Sequence, residues 1–186
     1  MKLLIRVIVI LAFAAAARDY WLARAFKKGV GAGRVADLAY TDTRGNSHES
    51  LSSSNKPSVV VLWVTPCPYC ARALNVLDSL RRAYPEENLD VVGFYLNQAD
   101  SATVDQIARQ EGHSISVAQG QPTGNFVQAL TSSLAFRAPG RDIYVIGKDG
   151  SYEAVDSSDL RVPDNHLYEQ VRAILRDKHG VKERAG

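Results

Sequence analysis

The hydrophobic pattern opens on an apolar run and becomes periodic only afterwards. Lys2 and Arg6 flank the start of residues 7–17 (VIVILAFAAAA), which have no polar face. A charged leader before a short apolar stretch matches an export signal, and Ala15 and Ala17 offer a small-x-small cleavage pattern before Arg18. The run falls short of the roughly 20 residues a spanning helix prefers. An uncleaved membrane tether through residues 3–17 is the competing reading, with Arg6 snorkelling and Tyr20 and Trp21 at the interface. A buried N-terminal helix is a third. Residues 1–24 are therefore read as signal peptide or anchor. The positive end would stay cytoplasmic, which places the rest in an oxidising compartment, periplasmic or otherwise extracytoplasmic.

Residues 25–34, Gly-rich and basic, read as a linker. A domain over 35–178 follows. Residues 36–40 read as a strand that enters a turn at Thr43, Arg44, Gly45 and Asn46. The β-branched run 59–64 (VVVLWV) and residues 89–96 (LDVVGFYL) read as strands buried on both faces. Between them, Ala73, Leu74, Leu77, Leu80 and Tyr84 recur at helical spacing, and Pro85 stops a helix over 68–84. Asp100 or Ser101 can cap a helix to about Glu111. Residues 115–118 form a short strand, and Thr123 can cap a further helix carrying Phe126, Val127 and Leu130. Residues 143–146 and 152–155 make a hairpin around Lys148, Asp149 and Gly150. Asp164 caps a last helix ended by Gly180, and residues 179–186 are a polar tail. Alternating helices and buried strands, with a late hairpin, predict an α/β fold around a mixed sheet.

Composition narrows the function. The chain has 186 residues, 46% hydrophobic and 23% charged, enough for one domain with a real core. A net charge of +2 without a dense basic run gives no electrostatic basis for nucleic acid.

The chemistry lies in two cysteines, Cys67 and Cys70, the only ones present. Cys67-Pro68-Tyr69-Cys70 falls where strand 59–64 hands over to the helix. Unpartnered amide groups and the helix dipole favour a thiolate at such a junction. Cys67 is then the attacking nucleophile, and Cys70, one turn further in, resolves the mixed disulfide. Pro68 suits the first helical turn. A purely structural bridge is an alternative, although closing so short a loop stabilises weakly. Zinc is another; it needs further ligands, and His48, His113, His166 and His179 show no ligand-like pairing. No cofactor beyond the redox-active pair is expected.

These features resemble the TlpA/ResA-like branch of the thioredoxin-like superfamily, exported thiol–disulfide oxidoreductases. The likeness covers roughly residues 35–176: the hairpin segment ADLAYTDTRGNSHESL, the strand VVVLWV, the CPYC motif, the strand DVVGFYL and the stretch from Ala138 and Pro139 to IYVIGKDG. It implies a thioredoxin-like sandwich, a central mixed sheet flanked by helices, with an N-terminal hairpin extension and an inserted αβ unit. It implies that Pro139, preceded by Ala138, is a cis-proline beside the cysteines, exposing a backbone edge for a substrate peptide. Pro68 and Tyr69 join these two as candidate substrate-binding residues. The family usually carries Trp where Pro66 stands, and Trp63 is expected in the core. A carboxylate often accepts the resolving thiol's proton. Asp78 is expected to be solvated, and Asp142 is the substitute candidate. The resemblance implies protein thiol or disulfide substrates, reduction more than oxidation, and a membrane electron donor or acceptor to recycle the pair. The alternatives are a glutaredoxin-like enzyme, suggested by CPYC, and a non-catalytic thioredoxin-fold binding module.

Overall fold

The computed structural model describes residues 32–184, apart from 38, 44, 49, 52–53, 98, 111–112, 114–115, 120–123 and 135. The expected signal or anchor, residues 25–31 of the expected linker, and Thr123 lie outside the described residues. Among those described, no helix is long and apolar enough to cross a membrane.

The elements are β1 (Ala32–Arg34), β2 (Tyr40–Thr41), β3 (Ser47–His48), β4 (Ser58–Trp63), α1 (Pro68–Ala83), β5 (Asp90–Tyr95), α2 (Ser101–Gln110), β6 (Ser116–Gln119), α3 (Gly124–Ser133), β7 (Asp142–Ile146), β8 (Ser151–Asp156) and α4 (Asp164–His179). Six strands form one sheet in the order β1-β8-β7-β4-β5-β6, and β2 and β3 make a separate two-stranded hairpin. β4, β5 and β6 are parallel neighbours, whereas β7, β8 and β1 run antiparallel. The result is the expected mixed α/β sheet with helices around it. Residues 32–34 correct the linker reading: they pair with Ser151, Tyr152 and Glu153 as an edge strand. Glycine and small residues there can approach β8 closely, and Gly33 faces the Tyr152 ring.

β4 is central, and all six of its residues are buried. Strand alternation sends Val59, Val61 and Trp63 to one face and Val60 and Leu62 to the other. The first face carries Cys70, Leu74 and Leu77 of α1, Val104 of α2, and Leu167, Val171 and Leu175 of α4. The second carries Tyr40 of the hairpin with Leu130 and Leu134. Trp63 is fully buried, as expected, and tilts against Tyr95 with ring centroids 4.6 Å apart.

Two expectations need correction. Asp78 is buried, not solvated: its Oδ2 lies 3.0 Å from His113 Nδ1. The segment after α2 covers that side of α1, and the pair joins the inserted unit to the helix. Asp164 is the first helical residue of α4 and not its cap; Pro163 holds the cap position without a side-chain bond. The Asp164 carboxylate instead accepts the Nε–H of Arg72 at 2.6 Å. Gly180 does end α4, in the left-handed conformation at φ 63°. The tail beyond it is docked: Val181 is buried, and Arg184 N–H donates to the Ala83 carbonyl.

Candidate functional site

Cys67 is the N-cap of α1, in extended conformation, with Pro68 starting the helix. Pro68 loses no helical hydrogen bond at this position, because its N–H would have had no partner. The Cys70 N–H points back at the Cys67 sulfur, 3.2 Å away. No acidic residue occupies the first turn of α1, so nothing there opposes the positive end of the helix dipole. The two cysteines form a disulfide with Cα atoms 5.3 Å apart. Cys67 is partly exposed and Cys70 is buried in the core. Pro66, Pro68 and Tyr69 are exposed around them. This is the division expected of an attacking and a resolving cysteine.

The proline expectation is overturned. Pro139 is trans, and the cis peptide among the described residues is Thr65–Pro66. Ala138, Pro139, Gly140 and Arg141 form a turn closed by the Arg141 N–H on the Ala138 carbonyl, with Gly140 at φ 65°. Pro second and left-handed Gly third is the type II pattern; a cis-proline belongs at the third position of a different turn. The Ala138 carbonyl is therefore used inside the turn and is not presented as a strand edge. Pro139 still reaches the site, because its carbonyl oxygen lies 3.7 Å from the Cys67 sulfur.

Asp142 is not beside the cysteines. It alternates with Tyr144 and Ile146, on the sheet face opposite α1. There it is buried and takes both Nε–H and Nη2–H of Arg137. Arg137 Nη2 also lies 3.2 Å from Asp156, the cross-strand partner of Asp142. Hydrogen bonding to Asp142 pushes the Arg137 guanidinium further up in pKa. Among the described residues this removes Asp142 as proton acceptor for Cys70.

Three residues at the site escaped the sequence reading. Gly140 lies directly on the disulfide: a Cβ built there falls 2.6 Å from the Cα, N and Sγ of Cys70. Its N–H donates to the Leu62 carbonyl at 2.7 Å, and its carbonyl accepts the Ser157 hydroxyl at 2.6 Å. Arg72, a buried cation five residues past Cys67, donates to the carbonyls of Ser157 and Asp159. The Pro-Gly dipeptide is a turn signal that identifies Gly140. Nothing in the local sequence marks Arg72 or Ser157.

The loop after β8 also sets an acid limit. Hydrogen bonds from Arg161 hold the Asp159 carboxyl at about 2. Burial tends to raise Asp156, but Ser158 and Arg137 outweigh it and leave that carboxyl below its usual range. Both groups bind protons more readily in the unfolded chain. Their contribution is thus present above about pH 4 and is lost as pH falls toward about 2. Urea midpoints should be flat from about pH 7 to pH 5 and drop below about pH 4.

A disulfide at a strand-to-helix junction, on a mixed sheet covered by helices on both faces, defines the thioredoxin-like class of thiol–disulfide oxidoreductase folds. Within it the chain belongs to the Redoxin family, which matches residues 23–153. No curated protein sequence matches it significantly. Among solved structures, a thiol:disulfide interchange protein from Bacteroides sp. superposes with a TM-score of 0.60 at 16% identity, covering 80% of this chain and 92% of that one. The thioredoxin domain of a thiol-disulfide oxidoreductase from Bacteroides vulgatus gives 0.58 at 16%, covering 77% and 97%. A secreted Mycobacterium tuberculosis disulfide oxidoreductase homologous to E. coli DsbE gives 0.55 at 16%, covering 74% and 96%. At such identities the likeness is one of fold.

Proposed function

We propose that the protein is an extracytoplasmic thiol–disulfide oxidoreductase that reduces disulfides of protein partners through Cys67 and Cys70. The observation that carries this is the asymmetry of the pair: a partly exposed sulfur at a helix N-cap, facing the Cys70 N–H, with the second sulfur buried behind it. In the reduced protein that N–H and the helix dipole stabilise a Cys67 thiolate. The thiolate attacks one partner sulfur, forming a mixed disulfide and expelling the other sulfur as a thiolate. Cys70, deprotonated, then attacks Cys67 Sγ. The internal disulfide forms, the partner leaves as a dithiol, and two electrons have passed to it. A dithiol donor, expected at the membrane, must reduce the pair again. Pro68, Tyr69 and Pro139 border the exposed sulfur and are the candidate partner contacts.

Export rests on the charged and apolar leader at residues 2–17, and the secreted Mycobacterium relative agrees with it. The reducing direction draws support from the Pro139 carbonyl. An oxygen lone pair facing the Cys67 sulfur disfavours the thiolate relative to the thiol, and a less acidic nucleophile belongs to a less oxidising pair.

Cys70→Ala should trap partners on Cys67 as adducts released by dithiothreitol, and equilibration with glutathione should give a potential below about −200 mV. A value near about −120 mV would assign the protein as an oxidant. Absence of any adduct, together with full biological activity of a Cys67→Ser, Cys70→Ser double variant, would favour a binding module.

A further inference from the structure

The disulfide is overlaid by the backbone turn over residues 138–141. Gly140 reaches Cys70 so closely that no methyl group fits between them, and Pro139 faces Cys67. Such a turn needs anchoring, and the anchors come from elsewhere in the chain. Ser157 is fully buried just beyond the end of β8. Its N–H donates to the Arg141 carbonyl at 2.8 Å, extending the β7–β8 ladder by one rung, and its hydroxyl donates to the Gly140 carbonyl at 2.6 Å. Its own carbonyl accepts Arg72 Nη1, which is also 2.7 Å from the Asp159 carbonyl, while Nε is held by Asp164. Arg72 belongs to the same helix as Cys70. The chain of contacts therefore leaves α1 at Arg72, crosses the loop after β8, and returns to α1 at Cys70 through Gly140.

We propose that Arg72 and Ser157 are positioning residues of the redox pair, locking the 138–141 turn against Cys70 and thereby favouring the disulfide over the dithiol. The inference rests on the oxidoreductase reading above and adds what sets the poise of that site. Two thiols need more room than two bonded sulfurs. Cys70 is buried with its backbone and sulfur close against Gly140, and the Cys67 sulfur lies 3.7 Å from the Pro139 carbonyl of the same turn. Separating the sulfurs therefore presses on that turn. Holding it in place opposes reduction, and releasing it admits the separated thiols. Buried hydrogen-bonded networks of this kind hold their members in one arrangement, here through Nε and Nη1 of Arg72 and the Ser157 hydroxyl.

The test is the equilibrium constant for exchange with glutathione, measured on the full chain beside urea stability in the oxidised and reduced forms. Ser157→Ala should shift the equilibrium toward the dithiol by about tenfold, equivalent to about 30 mV, and should destabilise the oxidised form more than the reduced one. Ser157→Thr keeps the hydroxyl and should stay within about twofold of the parent, as a restored donor predicts. Arg72→Lys keeps the charge and loses the fork, and should move the equilibrium the same way by about threefold; it serves where Ser157→Ala does not fold. An exchange constant unmoved in the folded variants, with both redox forms destabilised equally, overturns the proposal and leaves these residues purely structural. A parent protein that does not exchange with glutathione at all would instead remove the oxidoreductase reading.

Discussion

Gly140→Ala is expected to destabilise the oxidised protein by about 2–5 kcal/mol, the sum of a conformational and a packing contribution. The conformational part follows from φ 65°, where a Cβ crowds the following carbonyl and costs roughly 1–2 kcal/mol. The packing part follows from what the new methyl meets: the Cα and N of Cys70 as well as its sulfur, all at 2.6 Å. Backbone atoms of a helix start cannot swing aside as a flexible side chain can, so the turn must lift, releasing the bonds to Leu62 and Ser157. Gly180 is the internal control. It has nearly the same φ, 63°, and nothing lies within 4 Å of a Cβ there. Gly180→Ala should therefore show only the conformational part. Urea titration of the two oxidised variants separates the contributions, and equal losses would mean that the turn does not press on the disulfide as described.

Removing Arg137 should have an effect of similar size. Asp142 and Asp156 sit directly opposite one another on β7 and β8, and Arg137 lies between them as their shared cation. Like charges in such a pair repel, and a buried carboxylate without its partner is expensive. Arg137→Ala should lower stability by about 2–4 kcal/mol near neutral pH, somewhat under the range for fully buried pairs because Arg137 is partly exposed. Asp142→Asn in the Arg137→Ala background should recover part of the loss, because it removes one of the two opposed charges. Asp142→Asn alone should weaken the protein yet leave the rate of disulfide exchange unchanged, because Asp142 faces away from α1. A slowed exchange in that variant would return Asp142 to the list of proton acceptors.

Much of the fold was legible from local pattern. The valine run of β4, the helical spacing of Ala73, Leu74, Leu77 and Leu80, and the Lys148-Asp149-Gly150 corner each encode one element through interactions within a few residues. Cys67 and Cys70 were legible for the same reason, since a strand followed by Pro68 and an amphipathic helix places the first sulfur at an N-cap without reference to the rest of the chain. β1 was missed because Ala32, Gly33 and Arg34 carry no strand pattern; only the edge of β8 gives them partners.

Tertiary structure decided everything that depended on distant partners. Asp78 looked like a surface residue until His113, 35 residues away, covered it. The resemblance to a cis-proline family pointed at Pro139, whereas the glycine after it selected a turn in which that proline is trans and Gly140 makes the close approach. Arg72 and Ser157 are separated by 85 residues and meet only when α1 and β8 share the sheet. The sequence by itself determined which atoms can carry redox chemistry, because that depends on residue type and the adjacent helix start. How the turn and its buried anchors enclose those atoms was decided by packing, because hydrogen bonds and van der Waals contacts act over a few ångströms regardless of separation along the chain.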